Sequence, residues 1–450
     1  MNLWFRYAFT LPALTVALAQ PVSASQLPPA ASDADYYDNG APNAAKVELG
    51  RNLFFDKILS GNQNISCATC HHSLTDTGDG LSLPVGEGGR GLGVTRDTGS
   101  GADAVHERVP RNAPPVFNLG ARSFSVIFHD GRVEADPAFP SGVKTPAGHD
   151  LPAILDNPLA AQAMFPVTSA TEMAGQSGEN TIADQAAIGN LAGPAGVWEQ
   201  LATRLKAIPE YVDMFNAAYG ISQSEITYAH AANAIAAFEA TAWRADNSPF
   251  DRYLRGEHGA LSKPAKNGMK IFYGKANCAS CHSGTFQTDN RFHAIAVPQI
   301  GPGKGQDFDG RGDHGRVAIS GDPADLYRFR TPTLRNVALT APYGHSGAYD
   351  SLEDMVRHHL DTTTALNSYD CANTPVLPSR PDLDAIDCVV QNDPLRVAEI
   401  AESSEIAPVA LSDDEVNDVL EFLNALTDPA SIDLRGDLPK GVPSGLTLAE

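Results

Sequence analysis

The chain has 450 residues, 42% of them hydrophobic and 19% charged, enough for two globular domains with cores of their own. A formal net charge of -22 argues against nucleic acid, whose phosphates would repel such a surface, and suits a locally basic protein partner.

From the N-terminus, Arg6 precedes an apolar run from Tyr7 to Ala19, then small residues ending Val22-Ser23-Ala24. That pattern predicts an export leader over residues 1–24, cleaved after Ala24, and hence a periplasmic protein. The run falls short of the roughly 20 residues a membrane helix needs, and no later stretch is long and apolar enough, so no membrane span is expected.

Gly50-Arg51-Asn52-Leu53-Phe54-Phe55 leads into Cys67-Ala68-Thr69-Cys70-His71. The stretches Gly78–Asn112 and Val133–Asp156, rich in Gly, Pro and charge, read as long loops. Gly196 to Trp243 carries apolar residues at helical spacing, and Asn247-Ser248-Pro249 marks a boundary. Beyond it Gly268-Met269-Lys270-Ile271-Phe272-Tyr273 repeats the earlier pattern ahead of Cys278-Ala279-Ser280-Cys281-His282. Few segments alternate as strands. The reading is a mainly α protein of two tandem cytochrome c-like domains with long irregular loops, 25–246 and 247–450.

CxxCH carries specific chemistry. Two thiols add to the two vinyl groups of one haem, and the next residue, His, reaches the iron. Zinc is the rival, but would need the two motifs to pair across the fold. Two covalent haems are therefore expected, on Cys67, Cys70 and His71 and on Cys278, Cys281 and His282. His72 is expected at the surface or on the propionate side. Further on, Ser351 can cap a helix with Asp354 three residues on. Leu352, Met355, Val356 and His359 then form one stripe, which turns His359 to the core and His358 away. A buried histidine satisfied by a hydrogen bond is the plain alternative. Cys371 and Cys388 are left over, and an oxidising compartment favours a disulfide between them over two free thiols.

With both attachment motifs in view, the chain resembles bacterial di-haem cytochrome c peroxidases and the related MauG proteins over nearly all its mature length. The resemblance rests on Leu49-Gly50 through Phe55-Asp56, both CxxCH motifs and Arg111-Asn112-Ala113-Pro114. It continues through Phe128-His129-Asp130-Gly131-Arg132, Thr171-Glu172-Met173, Arg330-Thr331-Pro332-Thr333-Leu334-Arg335-Asn336 and Ala341-Pro342-Tyr343-Gly344-His345-Ser346-Gly347. It implies that hydrogen peroxide reacts at the N-terminal haem. The C-terminal haem would be six-coordinate and relay electrons from a small c-type cytochrome or cupredoxin. His359 matches the sixth-ligand position, with Met355 one turn earlier as its rival. Glu172 matches the acid–base group beside the peroxide, and Gln162 a neighbour that orders water there. Asn112, Thr340 and Pro342 match a calcium site of oxygen donors.

Two departures matter. His129 stands where the family often has Trp, which weakens the case for long-range radical chemistry. Gly86-Glu87-Gly88 stands where many of the peroxidases carry a histidine that blocks the peroxide haem until the other haem is reduced. Glu is a poor iron ligand, so no reductive activation is expected, unless His106 substitutes as the blocker. The expected function is a periplasmic peroxidase. A MauG-like oxidase of a protein or organic substrate and a non-catalytic electron carrier are the alternatives. A homodimer is compatible with the sequence.

Overall fold

The computed structural model describes residues 27–101 and 104–448; the expected leader lies outside them. Helices dominate, and several start where a short polar side chain takes up orphan N–H groups. Asn43 accepts from Ala45 and Lys46 at the start of the Ala44–Phe55 helix. Ser262 does the same for Lys263–Tyr273, and a Ser412/Glu415 capping box opens Asp413–Asn424.

Two hydrophobic clusters organise the chain. The first gathers Leu49, Leu53 and Phe54 against the Ala-rich Tyr228–Ala242 helix. The second gathers Met269 and Phe272 against Val419, Phe422 and Leu423 of the Asp413–Asn424 helix. The two repeat each other in one telling detail. A Cβ on Gly50 would sit 1.8 Å from the Ala234 carbonyl oxygen, and one on Gly268 would sit 1.7 Å from that of Asp418. Glycine in a helix costs about 1 kcal/mol against Ala. Here it lets two backbones touch, and the Phe four residues on then meets the opposing helix: Phe54 against Phe238, Phe272 against Phe422.

The region Gly196 to Trp243 is helical as expected, in three pieces: Val197–Lys206, Pro209–Tyr219 and Tyr228–Ala242. The stretch Val133–Asp156 is more ordered than a loop. Val126–Ile127, Val133–Ala135 and Val143–Lys144 form a three-stranded antiparallel sheet. The C-terminal tail crosses the expected boundary: Leu438, Val442 and Leu446 pack on the first cluster, and Ser444 Oγ donates to Asp56. Cys371 and Cys388 are disulfide-bonded. No helix among the described residues is long and apolar enough to cross a membrane.

Candidate functional site

Cys67–Cys70 forms one helical turn, capped by Ser66 and Thr69, after which the chain leaves helix at His71. The His71 Nδ1–H donates to the Thr77 carbonyl at 3.1 Å, which leaves Nε2 free to bind a metal. The second motif repeats this. Cys278–Ser280 makes a tight turn, and His282 Nδ1 donates to the Gln287 carbonyl at 3.2 Å. A carbonyl behind the ring fixes its orientation and raises its basicity, as metal-bound histidines require. Burial pushes the His71 imidazole down, and burial and then His359 push His282 down to about 4. Both are therefore neutral, the ligating form, at pH 7.

None of the four motif cysteines takes part in a disulfide. Burial pushes the Cys67 and Cys278 thiols up to about 12. Cys67 packs on the first cluster and Cys278 on the second, so the motifs do not join in one zinc site. Cys281, Asp289 and His293 bring ligand atoms within 4.8 Å of one another. Cys281 belongs to the CxxCH motif, and His293 is already paired with Asp289 and Glu405.

His359 lies across from His282, with ring centroids 6.2 Å apart. With a metal–nitrogen bond of about 2 Å and roughly 1 Å from ring nitrogen to ring centre, two imidazoles on opposite sides of one metal ion put their centroids about 6 Å apart. His359 Nδ1 donates to the Met355 carbonyl at 2.8 Å, again leaving Nε2 free. The donor set therefore fits a haem iron between these two rings. Two expectations need correcting. His358 does not face away: it is fully buried, with Nδ1 2.9 Å from the Tyr349 hydroxyl and Nε2 2.7 Å from the Ile295 carbonyl. Nor is His72 at the surface. It is buried edge-on against Phe55, and its Nδ1 accepts from Leu74 N–H.

Among the described residues, His71 has no facing imidazole. The Ala170–Ala174 segment, which carries Glu172, is a single π-helical turn, a form that recurs at functional sites. Its Met173 carbonyl accepts from Gly61 N–H at 2.7 Å, just ahead of the Cys67 turn. Burial raises the Glu172 carboxyl above the ordinary range, opposed by Arg132, Lys304 and a hydrogen bond with Ser169. Gln162 ends the Pro158–Gln162 helix and is half-buried, with its carbonyl accepting from Phe165 N–H.

Glu87 lies against the same turn: its N–H donates to the Thr171 carbonyl at 3.2 Å. The side chain is 8% exposed and accepts from Asn62 and Asn64 at 2.7 and 2.8 Å. His106 stands exposed, its Nε2 3.7 Å from Glu179.

Between the two halves, Arg111 bridges Asp130 at 2.6 Å and Asp313 at 2.6 and 2.7 Å. Burial alone would raise the Asp313 carboxyl, but Arg111 outweighs it and holds it at about 2. His129 is driven down to about 3 by burial first and then by Arg111 and His345, and its Nε2 lies 3.1 Å from the Asn112 carbonyl. Asn112 sits at this seam, its N–H donating to the His345 carbonyl and its amide to the Leu81 and Ser82 carbonyls. Thr340 is half-buried and Pro342 buried in the turn that leads to Tyr343.

Three residues at the seam escaped sequence reasoning. Lys304 reaches the field of Glu172 from a distant loop that carries no motif. Arg330 donates to the Phe128 and Thr331 carbonyls. His345 is 6% exposed, stacks on Phe329 at 3.7 Å, and has neither ring nitrogen hydrogen-bonded. The last two lie inside sequence blocks noted for resemblance; burial without a hydrogen-bond partner singles out His345, and its contacts with the Phe128 segment single out Arg330.

Residues 44–259 match the family described as di-haem cytochrome c peroxidase. The chain is 30% identical over 391 residues to the methylamine utilization protein MauG of Methylorubrum extorquens, covering 86% of this chain and 80% of that one. It is 32% identical over 318 residues to the cytochrome c551 peroxidase of Pseudomonas aeruginosa, covering 69% and 70%. Among solved structures, a MauG-like protein associated with microbial copper homeostasis superposes with a TM-score of 0.57 at 25% identity, over 93% of this chain and 97% of that one. The diheme peroxidase BthA from Burkholderia thailandensis superposes at 0.55 and 19% identity, over 91% of each, a likeness of fold.

Proposed function

The chain belongs to the family of di-haem cytochrome c peroxidases and MauG proteins, and on that footing we propose that it is a periplasmic peroxidase that reduces hydrogen peroxide to water with electrons from a small redox protein. The observation that carries this reading is an asymmetry between the two histidine sites. His282 is matched by a second imidazole at 6.2 Å, which suits an electron relay closed to substrate. His71 has no such partner among the described residues, and the carboxylate-bearing π turn is tied to the segment just before it.

Haem bound through Cys67, Cys70 and His71, and through Cys278, Cys281, His282 and His359, would supply the redox chemistry: two electrons delivered to peroxide and their relay between the halves. The chain's residues do the rest. Glu172 takes a proton from one peroxide oxygen and returns it to the other as the O–O bond breaks, and two further protons complete two waters. Thr77 holds His71 in its ligating orientation, as Gln287 and Met355 hold His282 and His359. A calcium ion on Asn112 and the carbonyls of Thr340 and Pro342 would brace the seam. Glu87, held by two asparagines, leaves the peroxide position without a blocking imidazole.

Stopped-flow mixing of the holoprotein with peroxide tests the role of Glu172. Glu172→Gln should slow the reaction by roughly 10²–10⁴-fold. Burial raises this carboxyl, so the base form is lost as pH falls through a value above the usual carboxylate range. The wild-type rate should therefore drop on acidification already above that range, and the Gln variant should lack the drop. A variant as fast as wild type would remove Glu172 from the chemistry.

The long match to MauG supports a second reading, an oxidase of a protein or organic substrate. The neutral, backbone-bonded His129 weighs against it, because imidazole relays an electron hole poorly. Peroxide turnover without consumption of a redox donor would favour it.

A further inference from the structure

The disulfide-bonded insertion over 361–393 has no part in the chemistry above, yet it does not hang free. It lies on the loop that approaches Glu172. Ser82 N–H donates to the Val376 carbonyl and Val376 N–H to the Ser82 hydroxyl, each at 2.9 Å. Leu81, Val85 and Val105 of the loop bury Leu383, with Val376 packed against them. Arg108, 1% exposed, forks onto both Asp387 oxygens at 2.9 Å, onto Asp384 at 3.1 Å and onto the Pro378 carbonyl at 2.9 Å. Arg380 returns the contact by donating to the Val105 carbonyl.

The loop passes the constraint on. Arg96, 1% exposed, donates to the Val85, Gly86 and Gly91 carbonyls and so fixes the span around Glu87. That span is in backbone contact with the π turn. A Cβ on Gly86 would lie 1.9 Å from the Thr171 carbonyl oxygen and 3.3 Å from the Glu172 Cα. From Arg108 the contact returns to the loop through the Val109 N–H, which donates to the Pro84 carbonyl at 3.1 Å, next to the Val85 and Gly86 carbonyls that Arg96 holds and that lie against the backbone of the Glu172 turn.

We infer that the insertion is a clamp, with Arg108 as its positioning residue, that holds the 81–108 loop and through it sets the place of Glu172. A five-residue π turn has little stability of its own, and a bidentate guanidinium–carboxylate pair anchored in a cross-linked loop supplies geometry that short-range contacts cannot. The clamp itself stands on geometry alone. Its effect on peroxide rests on the role proposed for Glu172.

Two variants of the holoprotein test it, Arg108→Ala and the double change Cys371→Ser with Cys388→Ser, so that poor folding of one does not end the experiment. Backbone hydrogen exchange should rise in both over 81–91 and over 170–174, far beyond the altered residues. The peroxide rate should fall by about tenfold, as displacement of a reacting group entails. The acid limb of its pH profile should move down as water reaches the loosened carboxyl. Arg108→Lys, which keeps the charge without the fork, should recover part of the rate. Exchange confined to the neighbourhood of the changed residues, or freer exchange with an unaltered rate and pH profile, would overturn the clamp. A wild-type protein inert to peroxide would sink the peroxidase reading, and the exchange comparison alone would then uphold or overturn the clamp.

Discussion

A histidine and a methionine one turn apart on the Leu352–Leu360 helix both present the chemistry of an axial ligand. Their surroundings separate them. His359 faces His282, while the Met355 backbone carbonyl receives the His359 Nδ1–H and so serves the histidine. Replacing His359 by Met should raise the reduction potential of the C-terminal haem, because thioether ligation favours ferrous iron. Met355→Leu should leave that potential nearly unmoved. A spectroelectrochemical titration of both variants decides the matter, and a large shift in Met355→Leu alone would hand the role to the methionine. Part of this site could be read from the sequence, since CxxCH names three residues at a stroke and the stripe through 352, 355, 356 and 359 pointed to His359, which lies half-buried across from His282. The neighbour was misread for a physical reason. Adjacent helical residues differ by about 100°, and Ile295 and Tyr349 close over the far side of the helix, so His358 is buried as well. No periodicity within a helix reports what packs against its other face.

Helix against helix, the repeated Gly-x-x-aliphatic-Phe-aromatic pattern proved to be a crossing device. Gly50 and Gly268 each meet a carbonyl of the last long helix of their own cluster. A methyl group at either place must push two backbones apart. Gly268→Ala should cost about 1–3 kcal/mol, the usual penalty of overpacking, read as a lower denaturation midpoint of the holoprotein, with Gly50→Ala behaving alike. A neutral result would mean that the helices slide apart without loss. The helices and their caps were readable because each is fixed by neighbours in the sequence. The sheet formed by Val126–Ile127, Val133–Ala135 and Val143–Lys144 was not. Strands of two or three residues are too short to show alternation, and their pairing is decided by chain folding back on itself.

Across the whole molecule, the contacts that join the halves are long-range, and they include buried ion pairs as well as apolar packing. Arg111 pairs with Asp313 across 202 positions, and Arg108 with Asp387 across 279. Spacing in a single sequence cannot suggest such pairs, and the packing of the C-terminal tail on the first cluster is equally silent until the chain is folded. The arrangement they produce sets a second imidazole across from His282, and holds Glu87 between two asparagines against the turn that carries Glu172. The most direct test is turnover of the holoprotein with hydrogen peroxide and a reduced small c-type cytochrome, started from the fully ferric and from the half-reduced enzyme. Rapid and equal donor oxidation from both states is predicted, with a rate that falls as salt screens the acidic surface from a basic donor. Donor oxidation only after half-reduction would contradict the account, and would make His106 the first residue to replace.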